Sequence, residues 1–255
     1  MDPAHTLDAL ARQTAQTPSF NAVVSRLRDG EREVLLGSLP NALAAFLLIH
    51  LQRTLGRTVL LVAADEDRAE QWRDDLQAIA GSEVVRYLPA WDADLYDRRS
   101  PDIEITGLRI EAAMRLQSQA DSIIVAPAAA LLSPIIPPHA MELASLHLKK
   151  GDEQPPDDIV SHLIDCGFEC VPTVDGLGQF SMRGGILDVY PFASEYPFRI
   201  EFFGDEIESI SEIDALIGTT IKAIKSLSIY PNSHYVTDRN DLKDITKEIL
   251  SDLGY

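Results

Sequence analysis

The sequence predicts an α/β protein in which a parallel, doubly wound sheet is followed by an inserted α+β domain. Apolar strand-like runs alternate with helical periodicity in the first half of the chain. Pro134, Pro137 and Pro138 then interrupt this pattern. Short alternating strands separated by glycine-containing turns follow. A length of 255 residues is sufficient for two compact units.

The first half of the chain alternates between strand and helix patterns. Strands are predicted over residues 34–37, 58–63, 84–88 and 122–126. Helices are predicted between them, over Asn41–Leu55, from Asp65 to Gly81, and over residues 108–116. Asn41 is a candidate N-cap, and Gly56 is placed to end the first of these helices. Because a helix connects each strand to the next, the pattern predicts a parallel sheet with right-handed crossovers.

The loop that begins at Gly37 is where a nucleoside triphosphate would bind in such a sheet. A phosphate-binding loop ends in glycine, lysine and Ser/Thr, but this chain has Ala42, Leu43 and Ala44 at those positions. No ammonium group is there for the phosphates and no hydroxyl for magnesium, and Pro40 removes a backbone donor. The sequence therefore predicts a degenerate nucleotide-binding (P-loop NTPase-type) architecture without a cofactor; nucleotide binding is the alternative.

The second half begins with a predicted strand and a predicted helix. The strand covers residues 143–149, and the helix lies between Pro156 and Gly167. Residues 168–174 then lead into a sheet. The helix is predicted to turn three apolar side chains inward: Ile159, Leu163 and Ile164.

A small antiparallel sheet is predicted to complete the inserted domain. Residues 180–183 and 186–190 flank a glycine pair, which predicts a bulge or a tight bend. Residues 198–203 and 207–213 flank Gly204-Asp205, a pair typical of a hairpin turn. Apolar and polar residues alternate along these strands, so one face of the sheet is predicted to be buried and the other exposed.

The pattern predicts three segments along the chain. The α/β domain covers residues 1–127, the inserted domain covers residues 128–215, and a return segment covers residues 216–255. In the return segment, residues 221–229 are predicted as a strand that rejoins the first sheet, and residues 241–253 as an amphipathic helix.

The formal net charge of −18 comes from 40 acidic and 22 basic residues. Such a charge repels phosphate, so autonomous, sequence-independent DNA binding is not expected. Two interpretations stay open: the charge maintains solubility, or an acidic face meets a basic protein surface.

The two cysteines, Cys166 and Cys170, are too few for a zinc site without neighbouring ligands, and we expect reduced thiols. The N-terminus lacks the basic and apolar regions of a signal peptide. The most apolar stretch, residues 42–51, is too short to span a bilayer. The sequence thus predicts a cytoplasmic protein without a membrane partner.

No nucleophile–base pair is predicted, so no catalytic residue is assigned. An acidic series invites a metal hypothesis, but its spacing is not that of a calcium loop, and a solvated hairpin face is the interpretation we favour. The series comprises Glu201, Asp205, Glu206, Glu208, Glu212 and Asp214. Trp91 and Tyr96, in the loop after the third predicted strand, are expected to pack rather than to catalyse.

Four motifs together resemble one family. They are Trp91-Asp92 with Leu95-Tyr96-Asp97 and Ser100-Pro101, the run from Arg183 to Pro191, the run from Phe202 to Ile210, and Ile229-Tyr230-Pro231. In this order they resemble the N-terminal region of the bacterial transcription-repair coupling factors (Mfd), which is itself similar to the damage-recognition protein UvrB. The resemblance extends over residues 35–237. It implies a degenerate helicase-like domain (1a), an inserted domain (2) that binds UvrA, and the beginning of a return domain (1b).

Two departures from UvrB favour the coupling factors. UvrB has an intact phosphate loop, whereas this chain has the degenerate one. UvrB also inserts a long aromatic hairpin where only eleven residues separate Asp97 from Arg109 here. The resemblance implies that the full-length protein is an ATP-dependent DNA translocase that contacts RNA polymerase and DNA through regions not found in this sequence, so we expect this chain to be part of a longer protein.

Arg183 is the main candidate for partner binding. Its planar guanidinium can bind a carboxylate with two hydrogen bonds, and the glycines beside it let another chain approach. By resemblance it matches an arginine through which UvrB and Mfd contact UvrA. The alternative is an internal ion pair with Glu201, Asp188 or Glu206.

Three further residues complete the predicted UvrA-binding surface: Phe180, Ser181 and Gly184. For Phe180, packing in the core is the default interpretation, and an apolar contact beside Arg183 is the alternative. Ser181 stands where UvrB has a second arginine, and Glu169 or Cys170 stands where both families have one upstream. The resulting hypothesis is a non-catalytic module that recruits UvrA. The alternatives are a nucleotide-driven helicase fragment and an autoinhibitory module that docks on the motor and C-terminal domains of its own protein.

Overall fold

A computed structural model describes residues 3–37, 39–92, 101–118, 121–192 and 194–233. The chain divides into two compact units at the bond between Pro134 and Ile135. Within the described ranges, no helix is long and apolar enough to cross a membrane. The predicted helix over residues 241–253 and the loop residues Tyr96 and Asp97 lie outside these ranges.

The first unit has helices on a three-stranded parallel sheet. Its helices are α1 (Pro3–Thr14), α2 (Pro18–Arg28), α3 (Asn41–Leu55), α4 (Glu66–Ala80) and α5 (Ile103–Gln117). Its strands are β1 (Val59–Ala63), β2 (Val85–Tyr87) and β3 (Ile123–Pro127). The strand order is β1-β3-β2, and β3 is buried along its whole length. A central parallel strand is covered on both faces, which explains its continuous apolar sequence.

Residues at the helix termini determine where two of these helices begin or end. α3 ends at Gly56, which has a φ of 57° and a left-handed conformation. Asp65 caps α4, because its carboxylate accepts a hydrogen bond of 2.9 Å from the backbone N–H of Arg68. Asn41 is the first residue of α3, and Pro40 occupies the cap position in its place.

The strand predicted over residues 34–37 does not form. Leu35 is 85% exposed, and Leu36 is also exposed. A strand needs a neighbouring strand for its backbone hydrogen bonds, and this short apolar run has none among the described residues. The loop at Gly37 therefore does not follow a strand. The mixed α/β class is confirmed, whereas the helicase-like, P-loop architecture is not.

The second unit packs a six-stranded, largely antiparallel sheet against helices. Its helices are α6 (Pro138–Ala144) and α7 (Pro156–Asp165). Its strands are β4 (Leu146–Lys149), β5 (Glu169–Cys170), β6 (Gln179–Arg183), β7 (Ile186–Tyr190), β8 (Phe198–Phe203), β9 (Glu206–Ile213), β10 (Thr220–Ile224) and β11 (Ser226–Ile229). The sheet order is β10-β9-β8-β7-β6-β5, and β11 pairs separately with β4. The predicted antiparallel sheet and its hairpin at residues 198–213 are therefore confirmed, and the glycine pair at 184–185 is the tight turn of a second hairpin between β6 and β7.

Two predictions for this unit are wrong. Residues 221–229 do not rejoin the first sheet: β10 pairs with β9, and β11 pairs with β4, where Leu227 lies opposite Leu148. Both leucines are buried in the core of the second unit, so burial decides this pairing. Ile164 is 52% exposed, because the buried stripe of α7 follows Ile159 and Leu163 at a spacing of four residues. The segment limits 1–127, 128–215 and 216–255 stay predictions.

Candidate partner-binding face

One face of the six-stranded sheet packs into the core of the second unit, and the opposite face is accessible in part. The buried face packs on α7, β4 and β11 through apolar side chains that include Phe180, Leu187, Val189, Ile200, Ile207 and Ile210. Alternate residues point to the opposite side, which we call the outer face. Its residues on β6, β7 and β8 include Ser181, Arg183, Ile186, Asp188, Arg199 and Glu201.

An ion pair lies at the centre of the outer face. Asp188 lies opposite Arg199 across the β7–β8 ladder and is only 4% exposed. The Nε and Nη2 atoms of Arg199 donate hydrogen bonds of 2.7 and 2.8 Å to the two carboxylate oxygens of Asp188. This hydrogen bonding raises the pKa of Arg199, against the opposing effect of burial. The strongest hydrogen-bond partner of the Asp188 carboxylate is therefore Arg199, which belongs to the same domain.

Arg183 is held more loosely. Its Nη2 atom lies 3.6 Å from Oδ2 of Asp188, and its side chain is 59% exposed. Because Arg199 already binds both oxygens of Asp188, the long contact leaves most donors of the Arg183 guanidinium available. The sequence allows two alternatives for Arg183, an internal ion pair and an exposed guanidinium that a partner could bind. The structure contains both in part, because the ion pair is long and the guanidinium is exposed.

The turn beside Arg183 lies close against the next strand. The backbone N–H of Phe202 donates a hydrogen bond of 2.8 Å to the carbonyl of Gly185. A Cβ atom on Gly185 would lie 2.8 Å from the carbonyl oxygen of Phe202, too close for any side chain. Gly184 has a φ of 60° and open space around it, so its backbone is accessible to another molecule.

Two other predicted contact residues are not on the surface. Phe180 is fully buried in the core of the second unit. Ser181 is 2% exposed, and its hydroxyl donates a hydrogen bond of 3.2 Å to the carbonyl of Pro172. The burial of Ser181 does not agree with a direct contact with a partner, and the burial of Phe180 agrees with the default interpretation of core packing rather than with an apolar contact. Of the predicted contact residues, Arg183 and Gly184 therefore lie close together on the outer face, whereas Phe180 lies in the core.

Phe203 is an outer-face residue that the sequence analysis did not single out. It is 80% exposed at the end of β8, opposite Glu206. Strand alternation was the available signal, because Phe202 packs against the core and its neighbour must point the other way. Arg199 was missed in the same way, since its role depends on facing Asp188 across the sheet.

The upstream positions Glu169 and Cys170 form the edge strand β5, and both are exposed. Cys166 is buried, and its thiol donates a hydrogen bond of 3.2 Å to the carbonyl of Ala144. Burial, together with the negative charge of Asp165, raises the pKa of Cys166 to about 11. Cys166 is therefore protonated near neutral pH and is a poor nucleophile.

In the first unit, the degenerate loop presents small and apolar groups. Gly37 and Ala42 are exposed, Leu43 is 39% exposed, and Ala44 is half-buried. The backbone N–H of Ala44 donates to the carbonyl of Pro40, as a helix start requires. The described part of the chain contains no group of three or more acidic, histidine or cysteine residues placed to hold a metal ion.

The packing predicted for Trp91 is confirmed. The guanidinium of Arg109 lies 4.5 Å from the centre of the Trp91 ring. Arg109 is fully buried and donates hydrogen bonds of 2.6 Å to the carbonyl of Pro89 and 3.2 Å to that of Pro134. Its burial lowers its pKa. Through these two hydrogen bonds, Arg109 connects the loop after β2 with Pro134, at the end of the first unit.

One comparison with known proteins matches a large part of the second unit to a known class of domain. Residues 146–235, which contain the outer face, match the family model described as the UvrB interaction domain.

Most of the chain is similar to two kinds of protein. It is 26% identical over 225 residues to the transcription-repair-coupling factor of Bacillus subtilis, covering 88% of this chain and 19% of that protein. It is 31% identical over 235 residues to the factor of Myxococcus xanthus, covering 89% and 19%. It is 29% identical over 253 residues to the UvrABC system protein B of Chloroflexus aggregans, covering 94% and 38%. The predicted resemblance to Mfd and UvrB is confirmed, and the chain spans about a fifth of the coupling factors it matches.

Proposed function

We propose that this chain is a non-catalytic, protein-binding region of a transcription-repair coupling factor that recruits UvrA in nucleotide excision repair. The observation that carries the proposal is the exposed guanidinium of Arg183 on the outer face of a domain that matches the UvrB interaction family. The proposed setting is the bacterial cytoplasm, and the UvrA contact needs no nucleotide.

The assignment to a coupling factor rather than to UvrB rests on the degenerate loop. Ala42, Leu43 and Ala44 supply neither the ammonium nor the hydroxyl that a nucleoside triphosphate and its magnesium require. A degenerate first domain supports a scaffold role for the α/β unit. ATP-driven translocation, and contacts with RNA polymerase and DNA, would then belong to other regions of a longer protein.

The chemistry of the outer face favours a partner with a carboxylate. Arg183 and Arg199 lie beside Asp188, and the exposed carboxylate of Glu201 also acts on Arg199, so these four side chains carry no net charge, but the long contact of Arg183 leaves its donors available. A carboxylate from the partner could accept two parallel hydrogen bonds from the Arg183 guanidinium. Charge-assisted hydrogen bonds of this kind contribute about 1.5–3 kcal/mol.

The test is the affinity of the 255-residue chain for a bacterial UvrA, measured by titration calorimetry. We expect Arg183→Ala to raise the Kd at least about tenfold, which corresponds to about 1.4 kcal/mol. Arg183→Lys should recover only part of the affinity, because an ammonium cannot form the paired hydrogen bonds. Arg68→Ala, at an exposed arginine of α4, is the matched control. Equal affinity of all four proteins would remove Arg183 from the interface.

The same titration with ATP in place of UvrA tests the non-catalytic part of the proposal. We expect no heat of binding at concentrations that saturate an intact phosphate loop. Measurable ATP affinity would contradict the scaffold role and support a nucleotide-driven fragment.

A second function, docking onto other domains of the same protein, is favoured by one observation. Leu216 is 95% exposed and Ile217 is 72% exposed in the loop between β9 and β10. The carboxylate of Asp214 accepts hydrogen bonds from both backbone N–H groups, of 2.8 and 3.1 Å, so the loop is ordered. An ordered loop with two exposed aliphatic side chains is typical of an interface.

We expect substitution of both residues by serine in a full-length coupling factor to raise its basal ATPase rate, if the loop helps to hold the motor inactive. An unchanged rate, with the protein still folded, would exclude this role for the loop.

A further inference from the structure

We infer that Phe203 is the apolar anchor of the same interface, and that the partner receives it in an apolar socket bordered by the carboxylate that binds Arg183. This inference rests on the proposed function and adds the chemistry of the partner's surface. It starts from the exposure of Phe203, which the stability of the domain does not explain. An aromatic ring that is 80% exposed contributes little to the core.

Phe203 and Arg183 lie at the same end of the outer face. In the strand register, Arg183 is opposite Ile186, and Ile186 is opposite Glu201. Phe203 is the next outward residue along β8 after Glu201. The hydrogen bond between the Phe202 N–H and the Gly185 carbonyl ties the turn of one hairpin to the end of the other. A cationic, an aliphatic and an aromatic side chain therefore share one edge of the domain.

The backbone under Phe203 is well ordered. Phe203 pairs with Glu206 across a two-residue turn in which Gly204 has a φ of 63°. The carbonyl of Asp205 in this turn accepts a hydrogen bond of 2.7 Å from the backbone N–H of Gln154, outside the hairpin. A ring presented on a fixed backbone loses little conformational freedom on binding, which is the property of an interface anchor.

The acidic side chains around Phe203 indicate which class of molecule can bind there. Asp205, Glu206 and Glu208 are exposed at or next to the same turn. These carboxylates repel phosphate, so stacking of Phe203 on a nucleic-acid base is disfavoured. They also repel a second copy of this acidic chain. The geometry fits a protein surface with an apolar socket, one carboxylate for Arg183, and basic residues around the rim.

The test uses the 255-residue chain and a bacterial UvrA, with affinity measured by titration calorimetry at two salt concentrations. We expect Phe203→Ala to raise the Kd by at least about tenfold, as for an aromatic hot spot. Phe203→Leu should lie between Phe203→Ala and the unsubstituted chain. Leu143→Ala is the matched control, because Leu143 is 66% exposed on α6, away from the outer face, and should change the Kd less than about twofold.

Four results would overturn the inference. If Arg183→Ala weakens binding and Phe203→Ala does not, Phe203 is not an anchor and the proposed function stands. If neither variant weakens binding, the proposed function fails as well. If light scattering shows a dimer that Phe203→Ala dissociates, the occupant is a second copy. If Phe203→Ala and Phe203→Leu both lower the melting temperature by more than about 5 °C, the ring has a structural role.

Discussion

Arg199 binds both carboxylate oxygens of Asp188, and Arg183 lies 3.6 Å from the same carboxylate on its other side. The Arg199 side chain is 25% exposed and that of Asp188 is 6% exposed, so water screens this pair only in part. One arginine thus neutralises the buried acid, and the other keeps its donors at the surface. This division of roles determines how substitutions on the outer face will behave.

Removal of the central acid should destabilise the second unit. Asp188→Ala leaves the half-buried guanidinium of Arg199 without its carboxylate, at an expected cost of about 2–3 kcal/mol. This cost is measured as the decrease in the free energy of unfolding in urea, relative to the unsubstituted chain. Asp205→Ala, at an exposed turn position, is the control and should change this free energy by less than about 0.5 kcal/mol. Similar values for the two variants would show that the Asp188 pair adds no stability.

His50 should make the first unit less stable in mild acid. Its Nδ1 atom contacts the hydroxyl of Thr54, and its Nε2 atom is buried without a hydrogen-bond partner among the described residues. Burial, and secondarily the charge of Arg28, lowers the pKa of His50 below its usual 6.5. The unfolded chain therefore takes up the proton first, so this contribution is complete above pH 6.5 and is lost as the pH falls below it.

The measurement for His50 is the unfolding free energy between pH 7.5 and 5.5, with His50→Gln as the comparison. We expect the unsubstituted chain to lose more stability over this range than His50→Gln. Parallel curves for the two proteins would show that His50 has the same pKa in the folded and unfolded states.

The two thiols should differ sharply in reactivity. Cys170 is exposed on β5, whereas Cys166 is buried with its pKa raised to about 11. At pH 8, iodoacetamide should modify Cys170 in the native protein and Cys166 only after denaturation. Mass spectrometry of the intact protein counts the added groups. Native Cys170→Ser should stay unmodified, and rapid labelling of that variant would contradict the burial of Cys166.

A methyl group at Gly185 should disturb the contact between the β6–β7 turn and β8. The added Cβ of Gly185→Ala would lie 2.8 Å from the Phe202 carbonyl oxygen, and backbone must move to relieve this clash. We expect a loss of about 1–3 kcal/mol in the free energy of unfolding. Gly37→Ala is the control, because it has open space and no positive φ, and it should be close to neutral. A neutral Gly185→Ala would mean that the turn relaxes freely.

Features governed by near neighbours in the chain were predictable. The limits of α3 match the prediction because Gly56 ends the helix through its own left-handed conformation. The second hairpin follows from two-residue alternation and the Gly204-Asp205 turn, which act over a few residues. The absence of lysine and of a Ser/Thr hydroxyl at Ala42, Leu43 and Ala44 is read from residue types alone, but the degenerate nucleotide-binding site inferred from it stays a prediction. The candidate role of Arg183 came from a motif in the same way.

The remaining features depend on contacts between distant parts of the chain, which residue order does not specify. Residues 34–37 carry a strand-like sequence, but a strand exists only where a neighbour completes its hydrogen bonds. β11 pairs with β4 because burial of Leu227 against Leu148 decides the register. The sequence by itself determined the mixed α/β class and the hairpin at residues 198–213, because both follow from patterns among near neighbours. Only the tertiary structure decided that Phe180 is buried while Phe203 is exposed, because packing against α7 determines which face of the sheet is excluded from water.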